Sequence, residues 1–217
     1  MSNTETLEFL ETLYTPLISD VMDSLGLKSG VLDHTIQAIL GDPYLKVAGY
    51  AFPCRVIPTE EYVEIDTLLE MVDAIPQHSM VVVAADADID AALWGGLMST
   101  RAKLRGARGA VVNGGVRDIE QIANVQFPVF GSYRCIKDIR RRGYMAAYGC
   151  TVTIDGVTIS PGDTILADAN GVVCIAQQEI ANVIKILSAT HSNESKTMSG
   201  LEQGESAKAL FEKFRTF

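Results

Sequence analysis

Ser79-Met80-Val81-Val82-Val83-Ala84-Ala85 and Gly109-Ala110-Val111-Val112-Asn113-Gly114 decide the fold class. Each is a short, continuous apolar run bounded by turn residues. A run of that length without polar alternation reads as a strand covered on both faces. Between the two, Trp94 to Leu104 reads as a helix that Gly106 ends. Arg117 to Asn124 reads as a short helix, and Pro128-Val129-Phe130 begins a third buried strand. Strands alternating with helices predict an α/β sheet with parallel pairs and right-handed crossovers.

Working towards the N-terminus, Glu60 to Ala74 carries Val63, Ile65, Leu68, Leu69 and Val72 on a helical stripe. Val47 to Phe52 and Cys54-Arg55-Val56 are β-prone runs interrupted by Pro53, which predicts an edge strand or a bulge. Leu7, Leu10, Leu13, Leu17 and Ile18 mark a helix over Thr6 to Leu25 that Pro16 splits, with Ser19 and Asp20 capping the second piece before Gly26. Towards the C-terminus the pattern changes. Asp155-Gly156 between Val152-Thr153-Ile154 and Val157-Thr158-Ile159 signals a two-residue hairpin. Thr164 to Ala167 and Val172 to Ile175 follow as strands, which reads as a C-terminal β-meander grafted onto the α/β part. Gln178 to Ala189 and Ser206 to Phe214 read as terminal helices. No linker or repeat divides residues 1–217, so one domain is expected.

Composition narrows the function. Hydrophobic residues make up 47% and charged residues 21%, which excludes a disordered chain. The formal charge of −9 opposes general nucleic-acid binding, which needs cations against phosphates. No apolar run approaches a membrane span, and Met1 to Glu5 lacks a signal-peptide start. A cytoplasmic protein that acts on neither membrane nor nucleic acid is expected. Cys54, Cys135, Cys150 and Cys174 form no C-x-x-C pair and read as reduced thiols. His34, His78 and His191 lack metal-ligand spacing.

Special residues concentrate between Asp86 and Asp118. Gly95-Gly96 precedes a helix whose free amides and dipole suit an anion. Arg117-Asp118 follows a buried strand across Gly114-Gly115, read as a turn. The carboxyl end of such a strand is the usual place for a ligand. Together these suit a small 2-oxo carboxylate: the helix start takes the carboxylate, Arg117 the carbonyl oxygen and Asp118 a divalent ion. Trp94 reads as packing beside the anion loop. The basic segment Lys137, Arg140, Arg141 and Arg142 reads as a solvated loop, or as a place where Arg141 or Arg142 grips a distal carboxylate.

The run Trp94-Gly95-Gly96-Leu97-Met98, then Ala102, Gly106, Gly109 and Gly114 to Asp118, resembles the 4-hydroxy-4-methyl-2-oxoglutarate aldolases, a family that includes relatives of the regulator of ribonuclease activity A. Ser19-Asp20, Gly49-Tyr50-Ala51, Pro161-Gly162-Asp163 and Asp168-Ala169-Asn170-Gly171-Val172 extend the resemblance over most of the chain. It implies an α/β/β/α sandwich similar to phosphohistidine swivelling domains. It also implies a class II pyruvate aldolase or oxaloacetate decarboxylase using Mg²⁺ or Mn²⁺, assembled as a homotrimer or dimer of trimers. In family terms Asp118 matches the metal ligand, Arg117 the contact to the carbonyl oxygen, and Gly95, Gly96, Leu97 and Met98 the carboxylate loop. Glu194 matches a residue that approaches the ion's waters from a neighbouring subunit. The chain departs from the aldolase-like members at Gly96, where they usually carry Asp or Glu. Asp86, Asp88 and Asp90 are nearby acids that compensate, or a solvated strand end. A non-catalytic regulator that binds a ribonuclease is the alternative, but that branch lacks the aspartate found here as Asp118. A methyltransferase reading finds no nucleotide-binding glycine turn to support it.

Overall fold

A computed structural model describes residues 3–216. Its helices are α1 (Asn3–Leu10), α2 (Thr15–Ser24), α3 (Asp66–Ala74), α4 (Gly96–Arg105), α5 (Ile119–Val125), α6 (Ile180–Glu202) and α7 (Ala207–Phe214). Its strands are β1 (Gln37–Ala38), β2 (Lys46–Pro58), β3 (Ser79–Ala85), β4 (Ala92–Trp94), β5 (Gly109–Val116), β6 (Val129–Arg134), β7 (Gly143–Tyr148), β8 (Val152–Ile154), β9 (Val157–Ile159), β10 (Thr164–Asp168) and β11 (Gly171–Ile175). One sheet runs β1-β6-β5-β3-β2-β10-β11, with β4 added to β5 and β7 to β2. The steps β6-β5-β3-β2 are parallel, as the uninterrupted apolar runs predict.

Side-chain alternation sorts the core into three slabs. Val81, Val83, Ala110 and Val112 face α3, α4 and α5. Met80, Val82 and Val111 face the opposite way and meet Ile165, Ala167, Val172 and Cys174 from β10 and β11. The other faces of those two strands, Leu166, Val173 and Ile175, pack under α1, α2 and α6. The order is therefore helices, sheet, sheet, helices: the α/β/β/α arrangement. Strand β2 joins the two sheet halves. Its Val47 and Ala51 point into the middle slab, Ala48 lies under α2, and Phe52, Cys54 and Val56 lie under α3.

Several expectations need correction. Residues 46–58 form one strand at the centre of the sheet, not an edge. Even-numbered residues there donate towards β3, as Tyr50 N–H does to His78 O, so the ring nitrogen of Pro53 faces the other side. That side is where β10, paired up to Tyr50, gives way to β7, paired from Cys54, so no ladder bond is lost. The helical stretch does divide in two, α1 and α2, with Pro16 in the first turn of α2, where its missing N–H costs nothing, but Ser19 and Asp20 lie within α2 rather than capping it. Helix α3 begins at Asp66 rather than Glu60, and α6 continues to Glu202. The C-terminal strands are no separate meander. The hairpin β8-β9 stands alone, turning through left-handed Asp155 and Gly156, while β10 and β11 belong to the main sheet. Gly114 and Gly115 lie inside β5 rather than in a turn. A side chain on Gly115 would press on Cys135 Cβ at 2.7 Å and on the carbonyl of Ala91, which leads into β4.

Candidate active site

Strand β5 ends at Val116 and α5 begins at Ile119, so Arg117 and Asp118 make the whole connection. Asp118 turns the chain in the left-handed region, with φ 58° and ψ 43°. Such a conformation costs on the order of 1–3 kcal/mol for a residue with a side chain, and clusters at functional sites. The strain is not offset by helix capping: Asp118 occupies the N-cap position of α5 without a side-chain cap bond. Its Oδ2 instead accepts the N–H of Gly96, at 3.1 Å, across from the start of α4. Gly95 makes this approach possible. A Cβ there would sit 2.7 Å from Asp118 Oδ2 and 3.2 Å from Arg117 Cγ.

Arg117 is held at both ends. Its backbone N–H donates to Trp94 O at 3.0 Å. Its Nε lies 3.6 Å from Asp118 Oδ2, and Nη1 donates to Asp138 Oδ2 at 3.1 Å. Asp138 escaped the sequence reading. The signal was an acid embedded in the basic segment 137–142, which makes little sense in a uniformly cationic patch. Its second oxygen accepts the N–H of Arg140 at 2.9 Å. That backbone bond is the main reason its carboxyl titrates below the usual range. The hydrogen bond from Arg117 and the charges of Arg140 and Arg117 add to it, against partial burial.

These groups line a cleft of about 400 Å³. Leu97 and Met98 lie on one side, Arg117 and Asp118 at one end, Asp138 to Arg140 across from them, and α3 forms the far wall. Leu97 and Met98 are first-turn residues of α4, whose amides have no intrahelical acceptor. The Gly96 amide is already committed to Asp118. Larger hollows of about 580 and 600 Å³ run beside Tyr50, Gln177 and Lys185, and beside Asp33, Asp86 and Asp88. Size alone does not select the site: neither hollow sets a helix N-terminus against an Arg-Asp turn.

The structure thus gathers Gly95, Leu97, Met98, Arg117 and Asp118 around one cleft. Gly96 joins through its amide, and a side chain on it would run into Gln121, whose Cβ would be 2.7 Å away. Glu194 does not line this cleft. It lies on α6 and accepts a hydrogen bond from the Tyr14 hydroxyl, and its Oε2 is buried with no partner among the described residues. Burial, then the hydrogen bond and charge of Glu194, pushes the Tyr14 phenol well up. The acids 86, 88 and 90 do not reach the cleft either. Asp86 pairs with Arg55 at 2.6 Å, Asp90 pairs with Lys137, and Asp88 borders another hollow. In the basic segment, Arg140 lines the cleft, not Arg141 or Arg142. Arg141 lies over the Tyr62 ring, and Arg142 bonds the carbonyls of Asp138 and Arg140. Trp94 packs as expected, with Nε1 donating to Ser99 Oγ at 2.8 Å and its ring stacked on Phe127.

The RraA-like family (aldolase/RraA) matches residues 15–174, which contain every group of this cleft. The chain belongs to that family. Protein DlpA of Legionella pneumophila is 33% identical over 190 residues, covering 86% of this chain but only 30% of DlpA. The chain therefore spans less than a third of that relative's length. A Halalkalibacterium halodurans protein provisionally named 4-hydroxy-4-methyl-2-oxoglutarate aldolase is 30% identical, over 80% of this chain and 78% of its own. Among solved structures, an uncharacterized protein from Pseudomonas syringae superposes with a TM-score of 0.86 at 27% identity, covering 97% of this chain and 94% of the other. Among the described residues, no helix is long and apolar enough to cross a membrane.

Proposed function

We propose that this RraA-like protein is a divalent-metal-dependent lyase that cleaves 2-oxo acids through a pyruvate enolate. The observation that carries the reading is the strained Asp118 turn. It holds a carboxylate off its helix and beside the Arg117 guanidinium, facing the first turn of α4.

Asp118 Oδ1 has no hydrogen-bond partner among the described residues, which leaves it to ligate a cation. Mg²⁺ is commonly held through one or two carboxylates, with water and substrate oxygens filling the rest, so this donor set fits Mg²⁺ or Mn²⁺. The chemistry such an ion supplies is Lewis-acid polarisation of the 2-oxo group. The amides of Leu97 and Met98 would take the substrate carboxylate. Arg117, with one of its five N–H groups spent on Asp138, would donate to the 2-oxo oxygen. As the carbon–carbon bond beyond C3 breaks, its electron pair moves into the 2-oxo group, and Arg117 meets the negative charge where it develops. A proton delivered to C3 then yields pyruvate. Oxaloacetate would lose carbon dioxide by this route without any base. A 4-hydroxy-2-oxo acid must also give up its hydroxyl proton, and Gly96 offers no group to receive it. Decarboxylation is the reaction these residues support most directly. Glu194 of a neighbouring copy approaching the ion's waters, in a homotrimer or dimer of trimers, belongs to the same proposal.

The test is pyruvate release from oxaloacetate and a panel of 4-hydroxy-2-oxo acids, with and without Mg²⁺ or Mn²⁺. Metal-dependent release that Asp118→Ala abolishes supports the lyase. No release from any of them leaves the ribonuclease-binding regulator as the better reading.

A further inference from the structure

The charged side chains that line the cleft are Arg101, Arg117, Asp118, Asp138 and Arg140, and their pairing leaves one cation over. Arg101 Nε lies 2.7 Å from Asp73 Oδ1, an acid outside the cleft. Asp118 is the carboxylate read above as the metal ligand. Arg117 and Arg140 therefore face the single carboxylate of Asp138, and they do not share it equally. Arg117 Nη1 donates to Oδ2 at 3.1 Å, while Arg140 Nη1 stands 3.9 Å from the same oxygen, beyond hydrogen-bond reach. Among the described residues, the Arg140 guanidinium donates no hydrogen bond. Its backbone is fixed all the same. The N–H donates to Asp138 Oδ1 at 2.9 Å, and the carbonyl accepts from Arg142 Nη1 at 3.4 Å. The side chain is 44% exposed. A guanidinium on an anchored backbone, with its donors unspent, is a place for an anion. At 3.1 and 3.9 Å from one oxygen, the nitrogens of Arg117 and Arg140 lie no more than about 7 Å apart. A 2-oxo acid held by Arg117 at its 2-oxo oxygen bridges that gap when one or two carbons separate the 2-oxo carbon from a second carboxylate.

We infer that Arg140 is the residue that binds the distal carboxylate of a four- or five-carbon dicarboxylic 2-oxo acid. This rests on the lyase reading for the pyruvyl end and on the placing of Arg117, Asp138 and Arg140 for the distal end. It moves the expected grip from Arg141 or Arg142 to Arg140. The contact serves binding more than chemistry. When oxaloacetate loses carbon dioxide, the C3–C4 bond breaks, its electron pair enters the 2-oxo group, and the distal carboxylate leaves as a neutral molecule. The charge that Arg140 holds passes towards Arg117. Arg140 therefore acts chiefly on KM, because its contact weakens as the transition state forms.

Binding to the full chain with Mg²⁺ tests it without turnover. Pyruvate, 2-oxoglutarate and 2-oxopentanoate are titrated calorimetrically. The two longer acids have the same carbon count and differ in a terminal carboxylate against a methyl group, and neither is a substrate for the proposed cleavage. The expected result is 2-oxoglutarate binding about tenfold more tightly than 2-oxopentanoate, as one charge-assisted hydrogen bond to a half-exposed arginine implies. In Arg140→Gln that preference is expected to vanish, with pyruvate affinity moving far less. With oxaloacetate the same variant is expected to raise KM about tenfold without lowering kcat. No preference in the wild type, or the same preference in Arg140→Gln, overturns the role of Arg140 and leaves the lyase standing. A loss that falls equally on pyruvate, or a fall in kcat with KM unmoved, also overturns it and marks a structural role through Asp138. Failure of pyruvate itself to bind the wild type overturns the lyase reading and this inference together.

Discussion

Two aspartates at strand ends show opposite uses of the same side chain. Asp168 closes β10 and is 4% exposed. Its carboxylate accepts the N–H and hydroxyl of Thr15 at the start of α2, and the N–H and side-chain amide of Asn170. Both oxygens are engaged, Oδ1 by three of these bonds and Oδ2 by one, and the result ties the first helices to the second half of the sheet. Asp118, just past the end of β5, is a third exposed, accepts one backbone N–H, and sits in a strained conformation. A buried carboxylate with both oxygens bonded serves the fold. One held in strain with an oxygen to spare serves a ligand.

The sharpest way to break this contrast is Asp118→Asn, because asparagine tolerates the left-handed turn. Metal-dependent pyruvate release is expected to fall by roughly 10²–10³, with the melting temperature held within about 2 °C. An inactive variant that also unfolds would place Asp118 with Asp168. Asp168→Ala should do the reverse. It strands the buried Thr15 donors and is expected to destabilise the chain by about 3 kcal/mol in urea unfolding. Activity per folded molecule should stay near wild type.

Asp138→Asn sharpens the comparison at the level of support. Loss of the charge that steers Arg117 is expected to lower kcat about tenfold, with a small change in KM. The pH sign follows from the lowered carboxyl. The contribution of ionised Asp138, chiefly through the Arg140 N–H and then through Arg117, is fully present above the unfolded carboxylate value of about 3.9. It is lost as pH falls through the lower folded value. Wild type should therefore lose this contribution only below about pH 4, and the variant should show no such acid step in its stability profile. The smallest effect is expected from Gly96→Asp. Crowding by Gln121 should limit any gain of aldol cleavage over decarboxylation. Gly96→Asp combined with Gln121→Ala should release it, read as the ratio of the two activities on matched substrates.

Much of the α/β half was legible because its signals are local. Ser79 to Ala85 reads as a strand and is one, and Gly106 ends α4 in a left-handed cap. The Gly95 to Met98 loop and Arg117-Asp118 were legible as a cluster because both lie within a turn of their strands. Asp138 was not, since its meaning lies in a neighbour 21 positions away. Nor was Pro53, whose place in a central strand depends on two partners changing over beside it.

By itself the sequence determined most helices and the buried parallel strands, though not β1, β4 or β7, with Trp94 read as helix and found at the end of β4; it also determined that those parallel strands are covered on both faces and that glycines precede a helix near an Arg-Asp pair. Those are properties of a residue and its near neighbours, written in periodicity and in backbone freedom. Tertiary structure alone decided that β10 and β11 complete the main sheet, that Asp118 turns away from its own helix to meet Gly96, and that Asp138 comes to hold Arg117. Hydrogen bonds and charge pairs between distant segments depend on ångström-scale placement, and no local pattern records it.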